Sequence, residues 1–333
     1  MKKLRVFQTV KSKRIVSGFS FKNPGTILLF LLALPYVLTV CFGNIQKGKE
    51  EITDRVNERL TEGRVYIYNE TSVGTEKIPL EIYVADKLSR SIDDSYELEA
   101  IKAQAVLIRS EIYAMKKDRG EEAGILLIDE DYGSGVISEK IRKAVAETGG
   151  ICLTFQGEPV SGAYFAVSNG ATRDAEELGL AEYPYLKGVL CDRDFLSPDY
   201  SSTEIFHERE FERIWEQCLK ASVTEEELMQ NKKINAETED DETVLYRDSA
   251  GYVLYVERNQ EFVSGEQMRA DYNLLSADFY IEKENHKISF LVHGKGHGIG
   301  MSQFAANEMA GRGEDYTEIL NYFFQEVTIS KFE

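Results

Sequence analysis

Two stretches of this 333-residue chain carry side chains that could do chemistry. Lys102 and Arg109 lie seven residues apart, nearly two helical turns, so on a helix both project from the same side. Taken alone, two cations on one helix face are most simply solvated charge. The second stretch, HGKGHGIGMSQ at 293–303, places four glycines at alternate positions.

Those glycines let the backbone adopt positive φ and approach a ligand closely. The spacing matches neither a phosphate loop nor a dinucleotide fingerprint. His293 and His297 would suit a metal only on a helix, which the glycines disfavour, and no Glu accompanies them, so no metal site is predicted. A polar-ligand site and a tight turn whose histidine satisfies backbone groups both remain open.

The elements that position these residues predict an α+β body. Apolar residues recur at three- and four-residue steps from Leu98 to Met115, which predicts an amphipathic helix ending near Lys117. Asp94 and Glu97 suggest a capping box before it. Further helices are predicted at 138–147, at 208–221 and after the glycine-rich turn. Strands are predicted at 65–68, 151–155, 160–168, 244–246, 253–257, 288–292 and 327–332, with a solvated connection at 222–243.

Composition excludes some classes of function. The chain is 43% hydrophobic, with 17 Phe and 18 Tyr, which excludes disorder as the main state. The formal net charge is −18, and because the first 43 residues carry seven Lys or Arg and no acid, the other 290 carry −25. Such an acidic body disfavours nucleic acid as a partner. Of the four cysteines Cys41 lies in the apolar N-terminal run, so the remaining three allow at most one bridge.

The N-terminal sequence predicts where in the cell the protein lies. Residues 26–43, TILLFLLALPYVLTVCFG, contain no charge and are just long enough to span a bilayer. The positive charges before them predict a cytoplasmic leader at 1–25 and an extracytoplasmic body. An uncleaved single-pass anchor in the cell membrane is favoured over a cleaved signal peptide. A polar stalk at 44–64 would then lead to a domain at 65–333.

Several sequence blocks, in order, resemble the stage II sporulation protein D family, which includes amidase enhancers. They cover about residues 65 to 333, and ELEAIKAQAV and GHGIGMSQ are the most specific. The blocks are IPLEIYVADKL at 78–88, YELEAIKAQAVLIRSEIYAM at 96–115, SNGATRDAEE at 168–177, YPYLKGV at 183–189, SGEQMRADYNLLSADF at 264–279 and HGKGHGIGMSQFAANEMAGRGEDYTEILNYFF from 293.

The resemblance implies engagement of peptidoglycan during sporulation-associated remodelling of the wall, and a cell-wall amidase as a partner. Members of this family act as lytic transglycosylases, and no cofactor is predicted for this chain. One Glu protonates the glycosidic oxygen, and its conjugate base assists attack by the sugar 6-hydroxyl, which gives a 1,6-anhydro product. The resemblance also implies a glycan-binding groove, whose substrate-binding positions match Lys102, Gln104, Arg109, His297, Ser302 and Gln303.

The chain departs from the family at the catalytic position. An ungapped alignment from Pro79 to Glu97 puts Ser91 where the family has its catalytic Glu. Phe165 stands where members commonly show a histidine, which binds zinc in some of them. Asp93, two residues beyond Ser91, is the possible substitute acid.

Three functions therefore remain. A glycan-engaging protein with weak or lost transglycosylase activity is favoured. An active transglycosylase using Asp93 is the first alternative. A membrane-anchored interaction domain without glycan affinity is the second.

Overall fold

The computed structural model describes residues 60, 65–71, 74–119, 125–221, 235–238 and 243–332. The predicted leader and anchor lie outside these residues, as does the stalk apart from Leu60. Within the described part of the chain, no helix is long and apolar enough to cross a membrane.

The body mixes helices and small sheets, which confirms the α+β class. The helices are α1 (Leu80–Ser91), α2 (Leu98–Arg119), α3 (Glu139–Glu147), α4 (Glu208–Cys218), α5 (Gly265–Asp271), α6 (Gln303–Gly311) and α7 (Tyr316–Phe323). The strands are β1 (Tyr66–Thr71), β2 (Gly74–Pro79), β3 (Ile125–Leu127), β4 (Ile151–Phe155), β5 (Glu158–Pro159), β6 (Tyr164–Phe165), β7 (Ser201–His207), β8 (Asn235–Thr238), β9 (Thr243–Arg247), β10 (Val253–Arg258), β11 (Glu261–Ser264), β12 (Phe279–Glu284), β13 (Lys287–His293), β14 (Met301–Ser302) and β15 (Thr328–Lys331).

Helix α2 contacts α1, α3, α6, α7 and strand β4. Ile101, Ala105, Ile108 and Ile112 of its predicted apolar stripe are buried in a cluster shared with α1 and α3. Other apolar residues of α2, Val106 among them, join a second cluster with α6 and α7. Because two cores meet on this one helix, α2 sets the positions of the polar residues that lie between them.

A third core lies under the sheets of the C-terminal half, where α4 and α5 pack against β9, β10, β12 and β13. The sheet order β12-β13-β7 brings His293, the last residue of β13, opposite Ser201 of β7. The glycine-rich turn leaves from that point and ends where Ser302 caps α6.

Three local predictions were wrong. Asp94 does not cap α2, since the helix begins four residues later and the Asp94 carboxylate accepts a hydrogen bond from the Ser138 hydroxyl. The predicted strand at 160–168 is reduced to β6, because β14 pairs with only two of its residues. Part of the predicted connection at 222–243 is strand β8, which pairs with β9 although its residues are exposed.

Candidate functional site

Ser91 is the last residue of α1, and its side chain is half-buried. The helix begins directly after Pro79 and buries Leu80, Val84 and Leu88 on one side. Among the described residues, the Ser91 hydroxyl bonds only to the Leu88 carbonyl, at a long 3.4 Å. The Ser91 carbonyl accepts a hydrogen bond from Nε2 of Gln303, the first residue of α6.

Gln104 and Gln303 meet beside Ser91. Gln303 Nε2 also donates to Gln104 Oε1 at 3.3 Å. Gln104 is fully buried, and its own Nε2 has no hydrogen-bond partner among the described residues. A buried donor without a partner costs about 1 to 3 kcal/mol, so such a group is uncommon in a purely structural setting.

Ser302 connects this corner to a buried carboxyl group. It caps α6, where its Oγ accepts from the amide of Ala305, and it donates to Asp194 Oδ2 at 2.6 Å. Asp194 Oδ2 also accepts from the Ser168 amide at 2.7 Å, whereas Oδ1 has no partner among the described residues. Burial raises the Asp194 pKa, although the hydrogen bonds from Ser302 and Ser168 oppose this.

His297 is held as a neutral imidazole. The Ile299 amide donates to its Nδ1 at 3.1 Å, so the ring proton is on Nε2, which lies 3.1 Å from the Tyr164 carbonyl and donates to it. Burial lowers the His297 pKa, which favours the same uncharged form. Phe165 stacks obliquely on the ring, with 5.5 Å between centroids. His297 therefore satisfies backbone groups of the turn, which is one of the two alternatives that its sequence left open.

The glycines of the turn let it approach the chain's own backbone. Gly300 has φ +79°, and a Cβ there would lie 2.2 Å from the Ala163 carbonyl oxygen. At Gly298 a Cβ would lie 2.7 Å from the Tyr252 ring. The close approach expected of these glycines is thus made to neighbouring segments of the protein.

Lys102 and Arg109 lie on the side of α2 that faces away from Gln104. Lys102 Nζ is 2.7 Å from both Glu99 and Glu147, toward α3. Burial lowers its pKa, but the hydrogen bonds to Glu147 and Glu99 outweigh this and raise it. At 100° per residue, Lys102 and Gln104 point about 160° apart around the helix.

Arg109 is fully buried in an ion pair. Its Nε and Nη2 donate to the two carboxylate oxygens of Glu81 at 2.9 and 2.7 Å, and its Nη1 donates to the Ile151 carbonyl. The structure therefore brings Ser91, Gln104, Ser302 and Gln303 together and places Lys102 and Arg109 elsewhere. A glycan contact by these two cations gains no support from their positions.

Asp93 lies on the surface in the loop between α1 and α2. Its Oδ1 accepts from the Ser95 amide at 2.8 Å, and this hydrogen bond lowers the Asp93 pKa. A general acid needs the opposite shift, since it must hold its proton until the reaction.

Two residues of this site were not singled out from the sequence. Asp194 follows the YPYLKGV block, and Arg173 lies inside SNGATRDAEE. Arg173 donates through its amide to the Gly298 carbonyl at 2.8 Å and through Nε to Asp248 at 2.6 Å. Its guanidinium lies 2.9 Å from Glu266 as well, so it ties the glycine-rich turn to β9 and α5. The hydrogen-bond partners of Asp194 and Arg173 are distant in sequence, so only their position in or near the segments that resemble the family could have indicated them.

Comparison with known proteins shows that the chain is similar to a class of sporulation proteins. A family model described as stage II sporulation protein matches residues 68–155, from within β1 to the end of β4, which include α1 to α3. Stage II sporulation protein D of Bacillus subtilis (strain 168) is 31% identical over 284 residues, 80% of this chain and 78% of that protein. Its counterpart from Bacillus amyloliquefaciens is 29% identical over 296 residues, with the same shares covered.

A more distant relative is the amidase enhancer of Bacillus subtilis (strain 168), 23% identical over 282 residues, which are 72% of this chain and 39% of that protein. The level of identity to the sporulation proteins, over most of both chains, settles the relationship. The chain belongs to the stage II sporulation protein D family.

Proposed function

We propose that this chain engages peptidoglycan glycan strands in sporulation-associated remodelling of the cell wall, with weak or lost lytic transglycosylase activity. In this proposal residues 1–25 are a cytoplasmic leader and residues 26–43 anchor the protein in the cell membrane. Residues 44–64 form a stalk and residues 65–333 the extracytoplasmic domain. Membership of the family supports the role in sporulation.

One observation supports the loss of activity: neither carboxyl group near Ser91 is suited to act as the general acid. A transglycosylase needs an acid that donates a proton to the glycosidic oxygen while the C1–O bond breaks and the 6-hydroxyl forms its bond to C1. The Ser91 hydroxyl is too weak an acid to donate that proton. Asp93 is exposed with a lowered pKa, and Asp194 is fully buried behind Ser302.

The test is incubation of the full chain with glycan strands stripped of stem peptides. We expect binding without release of 1,6-anhydro-ended fragments, measured by cosedimentation and by mass spectrometry of the supernatant. Ser91→Glu should produce such fragments, because it places a carboxyl group beside Gln104 and Gln303. Ser95→Glu, which adds the same group to the exposed loop, is the matched control and should release none.

Fragment release by the parent chain would contradict the proposal. If that release disappeared in Asp93→Ala, the active-enzyme alternative would take its place. Absence of binding by the parent would favour an interaction domain without glycan affinity.

A second component of the proposal is a protein partner, and an exposed apolar surface supports it. Leu190, Phe195, Leu196 and Tyr322 are 71%, 61%, 53% and 42% exposed. The Tyr322 hydroxyl donates to the Leu190 carbonyl at 2.6 Å, beside a pocket lined also by Met309. Exposed apolar patches mark protein contacts, and the name of the amidase enhancer suggests a cell-wall amidase as the partner.

Stimulation of the amidase of the same organism tests this component. Phe195→Asp should reduce the stimulation by the full chain and weaken its binding to the purified amidase. Ile128→Asp changes another highly exposed apolar residue, in a different part of the chain, and should leave both unchanged. Equal stimulation by parent and Phe195→Asp would exclude this surface.

A further inference from the structure

Three half-buried rings lie in contact at the end of the β12-β13-β7 sheet. Tyr200 precedes β7, His293 ends β13, and Tyr280 lies on β12. The His293 ring stacks on Tyr200 with 5.4 Å between centroids and 20° between planes. Tyr280 meets His293 edge-on at 5.8 Å. We call these three residues the aromatic strip.

The backbone around the strip holds the rings in place. The Tyr200 hydroxyl donates to the Asn169 carbonyl at 3.1 Å, and the Gly294 amide donates to the Tyr200 carbonyl at 2.7 Å. The Arg247 guanidinium lies 4.3 Å from the centre of the Tyr280 ring. Little conformational entropy remains to be lost when a ligand stacks on such rings.

A charged pair adjoins the strip, since Asp199 directly precedes Tyr200 in the chain. Lys295, which follows His293 by two residues, lies 2.8 Å from Asp199, and both side chains are exposed. The Lys295 amide donates to the Val167 carbonyl at 2.7 Å. The amide of the next residue, Ser168, donates to Asp194 Oδ2, which also accepts from Ser302 of the Ser91 corner.

Pyranose rings match such a surface chemically. One face of the sugar ring presents C–H groups with partial positive charge, which are attracted to the negative faces of aromatic rings. Stripped glycan strands also carry a lactyl carboxylate on every second sugar, and that group needs a cation. Aromatic rings in a row followed by an exposed lysine suit a polymer of this kind better than they suit a compact ligand.

We propose that the aromatic strip and Lys295 form a second glycan subsite, remote from the reacting bond, which holds the strand that continues from the Ser91 corner. Sugar rings stack on the strip while Lys295 pairs with a lactyl carboxylate. This inference rests on the proposed glycan binding and names where the additional sugars lie.

Two probes test it on the full chain in detergent by calorimetry: the uncharged hexamer of N-acetylglucosamine and stripped glycan strands. Tyr280→Ala should weaken binding of both probes about three- to tenfold. Tyr280→Phe keeps the ring and should bind as the parent does. Tyr68→Ala removes an exposed tyrosine from β1 and should have no effect.

Lys295→Gln should weaken binding of the strands about three- to fivefold and leave the hexamer unaffected. Lys187→Gln, which removes another surface lysine that is paired with carboxylates, is its control. Binding by Tyr280→Ala within twofold of the parent would overturn the stacking role. Equal effects of Lys295→Gln on both probes, or no effect on the strands, would overturn the role of Lys295.

The two proposals fail in different ways. A parent chain that binds neither probe overturns glycan binding as a whole. A parent that binds both probes, with variants that bind equally well, overturns only the second subsite.

Discussion

Arg109 and Gln104 are both fully buried polar residues of α2, but their surroundings differ. Arg109 makes a two-pronged ion pair with Glu81 and a further hydrogen bond to a backbone carbonyl. Gln104 shares one hydrogen bond with Gln303, and its own Nε2 finds no partner in the part of the chain that the structure describes. A satisfied buried group serves the fold, whereas an unsatisfied one costs stability and points to a functional site.

The largest effect on stability is expected from breaking the ion pair between Arg109 and Glu81. Glu81→Ala leaves the Arg109 charge buried and unpaired, which should lower the free energy of unfolding by about 3 to 5 kcal/mol. Urea denaturation measures this. Replacing both residues, Glu81→Leu with Arg109→Met, should cost less than Glu81→Ala alone, and an equal or greater loss would contradict the ion-pair argument.

The next effect is a pH dependence that arises from Asp194. Its pKa is raised in the folded state, so the folded protein binds the proton more tightly than the unfolded chain does. The contribution to stability is therefore present below the ordinary Asp value and is lost as the pH rises through the folded pKa. In urea denaturations from pH 4 to pH 8, Asp194→Asn should reduce the decrease of the free energy of unfolding with pH. An unchanged pH dependence would contradict the role of Asp194.

A smaller effect on stability is expected from replacing Gln104. Gln104→Leu removes the unpaired donor together with one weak hydrogen bond, so the free energy of unfolding should change by less than about 1 kcal/mol. Binding of stripped glycan strands should fall in the same variant if the corner beside Ser91 holds a sugar. A destabilisation as large as that of Glu81→Ala would show that Gln104 is structural after all.

The smallest effect concerns Asp93. Since its carboxylate is exposed and its hydrogen bonds go to the nearby Ser95, Asp93→Ala should change stability by less than about 0.5 kcal/mol. Under the proposed function it should also leave glycan binding unchanged. Cosedimentation with stripped strands checks this, with Asp131→Ala in another surface loop as a control.

Local pattern was enough to predict α2 and α3, because apolar periodicity reflects which side of a helix is buried. It failed at Asp94, where a plausible capping box competes with a hydrogen bond from Ser138, 44 residues away. It also overextended the strand around β6, since strand length depends on how much of the partner strand lies alongside. The Ser91 corner was partly predictable, because the resemblance marked Gln104, Ser302 and Gln303.

Amino-acid order alone specified the acidic body, the apolar N-terminal run and the main helices. These features depend on composition and on neighbours within one or two helical turns. Tertiary structure decided which polar residues come together. Gln104 meets Gln303 across 199 positions and Asp194 meets Ser302 across 108, whereas Arg109 finds Glu81 on the other side of the same helix. Such pairings follow from how the cores pack around α2, and no local pattern contains that information.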